Sequence, residues 1–411
     1  MVNNREFRTF FVYVNKWCPR RSIEASKLCR YFAVNNLTAV TSPKKADLIV
    51  IFTCGSFEIN EDLSIQTIEK SLREKSAKIV ITGCLPRIDP ERLKIYDTAL
   101  LISPRNLNTL DSMIGAKVPY DSLRSDATFV SGFHDLYHGH LVDRVKRNVG
   151  FSAESSNSRI SDIYFRCFNR RFFRKSEDIM FSPKTCIVEI AESCLGNCSY
   201  CAIRLASEKF HSFPEEQILE SFRSGLNNGY RDFALLAGDI GCYGVDTGTN
   251  LPNLLKKLFA LGDNFRILLW DLNVRWFIKY YDEFRSVLKA NSRKVSRIVL
   301  PIESGSDRIL GLMNRGYEIE KVRNCILDFQ KTIPDLRLET HIIVGFPGET
   351  EDDFQKSLEI VKEIKFSKVV VFRYEDRPNT RASSFPDKVP KEVIDRRVRV
   401  LAREDRVILV N

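Results

Sequence analysis

The 411-residue sequence contains no apolar run near the ~18 residues that cross a bilayer; its most strand-like apolar stretch, residues 48–52, has five. The opening Met-Val-Asn-Asn-Arg-Glu has none of the apolar core of a secretory signal. There is no internal repeat and no low-complexity tract. Histidine is scarce: five in all, three of them at His134, His138 and His140. These absences argue against membrane-spanning, secreted and disordered classes and predict a cytosolic enzyme of two or three domains. One-signed charge is also lacking: 63 basic against 53 acidic residues leave +10, which permits a nucleic-acid or acidic-peptide partner without demonstrating one.

Cysteine is what the chain does have, with eleven residues. Without an export signal these are a poor disulfide framework and a better metal-binding or catalytic set. Thiolates with few imidazoles favour iron–sulfur clusters or structural zinc.

Periodicity divides the chain. Residues 1–115 alternate buried-type strands (10–14, 48–53, 78–82) with helices (23–33, 63–74), the pattern of a Rossmann- or flavodoxin-like parallel α/β domain. Working loops in such sheets lie at the carboxyl ends of strands. Cys18, Cys54 and Cys84 follow the three strands, so one sheet edge is expected to present all three. Packing as small buried hydrophobes is the alternative.

Residues 116–181 read as a linker or arm. Within it, 144–175 hold nine Lys/Arg together with Tyr164, Phe165, Phe168, Phe172 and Phe173. A solvated connection and a basic, aromatic platform for RNA or an acidic peptide both fit. From 182 to 385, roughly six βα units predict a partial (β/α)6 TIM-type barrel with its site at the carboxyl ends of the strands. Residues 386–411 are expected to form a charged terminal helix.

Just after the first barrel strand comes Glu192-Ser-Cys194-Leu-Gly-Asn-Cys198-Ser-Tyr200-Cys201. Three thiolates on one tight loop can hold three irons of a four-iron cluster and leave the fourth open. Zinc needs a closed fourth ligand, and the nearest histidine, His211, is ten residues on. Cys29, Cys167, Cys186, Cys242 and Cys325 have no partner spacing and are read as structural.

This loop resembles that of radical S-adenosylmethionine (SAM) enzymes, in which the open iron chelates SAM and the reduced cluster cleaves it to a 5′-deoxyadenosyl radical. The resemblance narrows to the methylthiotransferases through four further segments: Leu236-Ala-Gly-Asp-Ile-Gly-Cys-Tyr-Gly-Val-Asp246; Pro301-Ile-Glu-Ser-Gly-Ser-Asp-Arg-Ile-Leu310 with Met313-Asn-Arg-Gly-Tyr317; His341-Ile-Ile-Val-Gly-Phe-Pro-Gly-Glu-Thr-Glu-Asp-Asp-Phe354; and Arg373-Tyr-Glu-Asp-Arg-Pro-Asn-Thr-Arg-Ala382. It implies two [4Fe-4S] clusters and SAM as cofactors, with Cys194, Cys198 and Cys201 on one cluster. Cys18, Cys54 and Cys84 are implied to be catalytic ligands of the other, which carries sulfur. It also implies SAM contacts from Tyr200, Gly238, Asp239, Glu303, Ser304, Gly305, Ser306, Gly345 and Pro347, although Thr350 equally suits a helix cap. Implied partners are a flavodoxin- or ferredoxin-type electron donor, a sulfur donor, and a peptide, protein or tRNA acceptor, with no membrane.

Three departures concern substrate handling. The small β-domain of TRAM type that usually ends the family is not expected from the residues after the last helix. The run Ala206-Ser-Glu-Lys-Phe-His-Ser-Phe-Pro214 replaces the usual Arg-Gly and Ser-Arg-Pro, and the arm is longer than the usual connection. The first tilts the expected acceptor toward a peptide or protein side chain. The segment Thr247-Gly-Thr-Asn-Leu-Pro252, closest to the branch acting on tRNA threonylcarbamoyladenosine, pulls toward tRNA. Sulfur insertion without methyl transfer, and a cluster-bearing binding protein without catalysis, are the rival readings.

Overall fold

The computed structural model describes residues 7–15, 18–73, 77–123, 133–135, 185–404 and 406–410. It divides into two compact units, Met1–Ser182 and Pro183–Asn411. The basic, aromatic stretch expected at 144–175, with Cys167, lies outside the described residues.

The first unit contains β1 (Thr9–Val14), α1 (Pro19–Val34), β2 (Thr38–Ala39), β3 (Leu48–Thr53), α2 (Glu58–Arg73), β4 (Lys78–Gly83), α3 (Leu85–Ile88), β5 (Leu100–Leu101) and β6 (Phe133–Asp135). Its sheet runs in the order β2-β1-β3-β4-β5, with β6 also on β1, and its pairings are parallel. All six residues of β3 are buried, because both faces of the strand are covered. Leu48, Val50 and Phe52 pack with Leu28, Tyr31 and Phe32 of α1, whereas Ile49 and Ile51 pack with Ile65 and Ile68 of α2. Pro19 at the first position of α1 fixes the helix start immediately after Cys18.

The second unit contains β7 (Thr185–Glu189), β8 (Ala191–Glu192), β9 (His211–Ser212), α4 (Glu215–Asn227), β10 (Asp232–Leu236), α5 (Leu251–Phe259), β11 (Arg266–Leu269), α6 (Val274–Lys279), α7 (Tyr281–Ala290) and β12 (Val295–Val299). It continues with α8 (Asp307–Met313), α9 (Ile319–Thr332), β13 (Leu338–Val344), α10 (Glu351–Glu363), β14 (Lys368–Arg373), α11 (Lys391–Leu401) and β15 (Val407–Val410). Seven parallel strands run β15-β14-β13-β12-β11-β10-β7, the partial barrel of an α/β protein. Helices cover one face; Phe222 of α4, for instance, stacks on Phe233 of β10 with ring centroids 3.9 Å apart.

Two local expectations change. Apolar spacing over 277–289 predicts one helix, but the structure has two, α6 and α7, because Tyr280 leaves helical geometry (φ −110°, ψ 33°) and stacks on Trp276. The terminal segment is not helical throughout: after α11 the chain adds β15 against β14, a place its apolar Val-Ile-Leu-Val run suits.

Candidate active site

The cluster loop leaves β8 through Ser193, whose backbone is left-handed (φ +67°). It is pinned on two sides. Gly238, just past β10, donates its N–H to the Ser193 carbonyl at 3.0 Å, and a Cβ at Gly238 would stand 2.4 Å from that oxygen. Glycine is therefore required here by the loop's own approach. On the other side Ser199 donates its hydroxyl to Leu312 O (2.8 Å), and the Asn314 amide donates to Asn197 O (2.7 Å).

Cys194, Cys198 and Cys201 are all partly buried. Burial, together with the neighbouring Cys198 and Cys194, pushes the Cys201 thiol up to about 11. Three mutually repelling sulfurs in a half-buried loop are suited to cationic metal. Donors are already directed at two of them: Gly196 N–H to Cys194 Sγ (3.0 Å) and Arg315 Nη1 to Cys198 Sγ (3.4 Å). Among the described residues, the group with ligand atoms all within 4.8 Å of one another is Cys194, Asp239 and Cys242 rather than either cysteine triad. Such closeness is what a single ion demands; thiolates on separate irons of a cluster stand farther apart. Three thiolates leave a zinc tetrahedron one ligand short and suit a cluster with an open iron, and His211 instead faces Glu192 and Phe213.

Beside the loop lies a buried polar group that joins two expected SAM contacts, Tyr200 and Glu303, to two residues not singled out, Arg315 and Tyr317. α8 ends at Asn314 in the left-handed conformation (φ +59°), which returns Arg315 toward the cysteines. Arg315 donates to Pro301 O (2.8 Å) and Tyr317 OH (3.2 Å) and lies 4.0 Å from Glu303. Tyr200 OH donates to Glu303 Oε1 at 3.0 Å. Glu303 is itself left-handed (φ +64°), yet its N–H and C=O bond His341 O and Ile343 N–H, each at 2.9 Å, locking it to β13. Burial raises its carboxyl pKa, with Arg315 and Tyr200 opposing. Asp271 is raised to about 7 by burial, reinforced by the charges of Glu303 and Asp239. His341, between Trp270 and Phe372, is lowered to about 4 by burial and is neutral. Glu303 and Tyr200 are both expected SAM contacts, whereas Arg315 and Tyr317 stand inside the Met313–Tyr317 segment without being singled out, because nothing in its spacing ties them to Glu303.

Other expected contacts take different partners. Asp239 is buried and its carboxylate accepts from four protein donors: Gly241 N–H, Asn273 N–H, Trp276 Nε1–H and the Cys242 thiol. That occupies its lone-pair directions, so it orients the β10 edge. Ser304 and Ser306 turn toward α10: Ser304 Oγ lies 3.4 Å from Ser357 Oγ, and Ser306 Oγ donates to Asp353 Oδ1 at 2.6 Å. A Cβ at Gly305 would meet Lys356 O at 2.4 Å, and one at Gly345 (φ +85°) would meet Ile394 of α11, also at 2.4 Å. Pro347 is buried in the same turn, and Thr350 caps α10 in a reciprocal capping box with Asp353. Cys242, read as structural, instead lies beside Cys194 and accepts from Leu195 N–H at 3.4 Å. Cys29 and Cys186 are core residues.

The first unit brings together the other three cysteines. Cys54 directly follows β3, and Cys84 follows Gly83, which pairs with Thr53; Cys84 N–H donates to Thr53 O at 3.0 Å. Cys18 caps α1. Its thiol is pushed up to about 12 by burial and then by Cys84 and Cys54, while Cys54 is raised by burial and Cys84.

A partial barrel presenting a Cys-x3-Cys-x2-Cys loop beside buried Glu303 and Arg315 defines a radical SAM enzyme. Residues 188–361 match the family model described as the Radical SAM superfamily, and residues 12–102 match the one described as "Uncharacterized protein family UPF0004". The chain is 31% identical over 394 residues to the "Probable threonylcarbamoyladenosine tRNA methylthiotransferase" of Pyrococcus horikoshii, covering 95% of this chain and 83% of that one. To the ribosomal protein uS12 methylthiotransferase RimO of Protochlamydia amoebophila it is 25% identical over 406 residues, covering 97% and 77%. The solved radical S-adenosylmethionine methyltransferase TsrM from Kitasatospora setae shares the fold, with a TM-score of 0.59 at 13% identity over 92% of this chain and 77% of that one. The chain belongs to the radical SAM methylthiotransferase family. It is an enzyme that transfers methylthio groups, and its cofactors are SAM and two [4Fe-4S] clusters. No described helix is long and apolar enough to cross a membrane.

Proposed function

We propose that Cys194, Cys198 and Cys201 hold the SAM-binding cluster, that Cys18, Cys54 and Cys84 hold the sulfur-carrying one, and that the acceptor is a threonylcarbamoyl-modified adenosine of tRNA. The observation that carries the assignment is the convergence of each triad at the carboxyl edge of its own parallel sheet. When bound, the cofactors supply one-electron cleavage of SAM and the transferable sulfur. The chain's residues hold and orient them: Arg315 and Gly196 satisfy two cluster sulfurs, Tyr200 and Glu303 close the polar wall beside them, and Gly238 admits the loop. A flavodoxin- or ferredoxin-type protein delivers electrons, and a separate donor delivers sulfur.

The tRNA acceptor rests on the higher identity to a relative named for threonylcarbamoyladenosine tRNA, 31%, than to one named for ribosomal protein uS12, 25%. This outweighs the tilt toward a peptide. The RimO likeness, spanning 97% of the chain, keeps a protein acceptor as the second reading. The test is anaerobic incubation of the reconstituted enzyme with SAM, reductant and either bulk tRNA or small-subunit ribosomal protein, followed by mass spectrometry for a methylthio gain. Gain on the protein alone would overturn the tRNA reading. Iron should fall from about eight to about four per chain in Cys18→Ala/Cys54→Ala/Cys84→Ala, as loss of one of two four-iron clusters requires. An unchanged count would overturn the cysteine assignment.

A further inference from the structure

Buried polar atoms without a partner are rare in folded proteins, yet three belong to the segments that carry Cys18 and Cys84: Arg21 Nε, Ser22 Oγ and Thr82 Oγ1. Cys18, Arg21 and Ser22 are spaced i, i+3 and i+4 at the start of α1, which puts them on one face of the helix. Thr82 precedes Cys84 by two residues on β4. It shares a strand face with Val80, whose core cluster includes the α1 residues Leu28 and Phe32. All three groups therefore lie on the α1 side of the sheet, toward its carboxyl edge.

Arg21 is 7% exposed. Its Nη1 is engaged by Glu24, which also lies 3.7 Å from Arg20, so two cations share one carboxylate. Cys84 and Cys18 both act electrostatically on the Arg21 guanidinium. A buried cation with an unused N–H, on the same side of the sheet as two unused hydroxyls, is suited to an anion.

We infer that Arg21, Ser22 and Thr82 form the donor set for a small sulfur anion, of the hydrosulfide or alkanethiolate class, held beside the amino-terminal cysteines. This rests on the assignment of a cluster to Cys18, Cys54 and Cys84. A cluster held by the three cysteines would supply the iron that binds sulfur, while Arg21 Nε–H and the two hydroxyls offset the anion's charge. The set thereby selects a compact monoanion over a neutral thiol.

The test uses the full reconstituted chain with saturating SAM, so that the barrel cluster is blocked. Sodium sulfide is titrated and followed by the electron paramagnetic resonance of the reduced amino-terminal cluster, with iron counted in every sample. Arg21→Gln should raise the sulfide midpoint about tenfold or more, and Ser22→Ala and Thr82→Val about threefold each, the scale of one charged and two neutral hydrogen bonds. Arg21→Lys, which keeps the charge but lacks Nε–H, should fall between. Midpoints within twofold of wild type, with iron retained, would overturn the inference. If Arg21→Gln loses amino-terminal iron, the two hydroxyl variants decide, and unchanged midpoints in both overturn it. A wild-type protein with only about four irons, unaffected by loss of the amino-terminal cysteines, would remove the two-cluster reading and this inference with it.

Discussion

Arg315→Met tests whether the buried polar wall beside the cluster loop is an electrostatic unit. Arg315 and Glu303 are 6% and 7% exposed, and the arginine also satisfies Pro301 O and Tyr317 OH. Removing one member of a buried ion pair strands the other charge, a loss of about 3–5 kcal/mol. For a unit of this size each kcal/mol moves the melting temperature by about 2–4 °C, so the barrel transition should fall by about 6–20 °C. The double variant Arg315→Met/Glu303→Gln leaves no stranded charge and should recover more than half of the loss. The sign with pH follows from the stranded carboxyl. Burial without Arg315 raises its folded pKa further above the unfolded value, so the folded state is protonated first and the deficit must shrink as pH falls. The assay is thermal unfolding of cluster-free protein followed by tryptophan fluorescence, because Trp270 and Trp276 report on the second unit. A double variant as unstable as Arg315→Met, or a deficit that grows toward low pH, would refute the reasoning.

Gly238→Ala should displace the cluster loop, since the new Cβ would meet Ser193 O at 2.4 Å; barrel iron should drop while amino-terminal iron stays, measured in a background lacking Cys18, Cys54 and Cys84 and in its complement. Gly83→Ala should do the converse, because its Cβ would stand 2.3 Å from Thr53 O at φ +98°. Asp271, raised to about 7 by burial, binds its proton in the folded state well above the unfolded value. Stability of the cluster-free protein should therefore decline as pH rises from 5 to 7 and flatten above, and Asp271→Asn should reduce that slope in a melting series. Asp239→Asn should loosen the β10 edge, since an amide cannot accept from all four donors that now reach the carboxylate; the readout is slower iron reconstitution of the barrel with little change in the first unit.

Much of the frame was legible. The continuous apolar run of β3 announced a strand covered on both faces, and cysteines following strands announced a shared edge. Legibility stopped where side chains meet across long separations. Cys242 carries no motif spacing, yet the turn after β10 folds it against Cys194. Ser304, Gly305 and Ser306 are expected as ligand contacts by resemblance alone, and the partners of the two hydroxyls on α10, Ser357 and Asp353, lie 53 and 47 residues on with no local signal to announce them. The break at Tyr280 was hidden because α6 and α7 share one helical periodicity across it. β15 was missed because four apolar residues after a charged helix read as its continuation, and only the exposed edge of β14 makes them a strand.

The wall beside the cluster loop also has a timing. Tyr200 meets Glu303 across 103 residues and Arg315 across 115, and Glu303 takes its place only once β13 is paired. Contacts so distant in sequence close late, after the cost of ordering the intervening chain has been met. The polar wall of Tyr200, Glu303 and Arg315 is therefore among the last features of the barrel to form, so a ligand that depends on it binds only after folding and its uptake rate can serve as a clock for barrel completion.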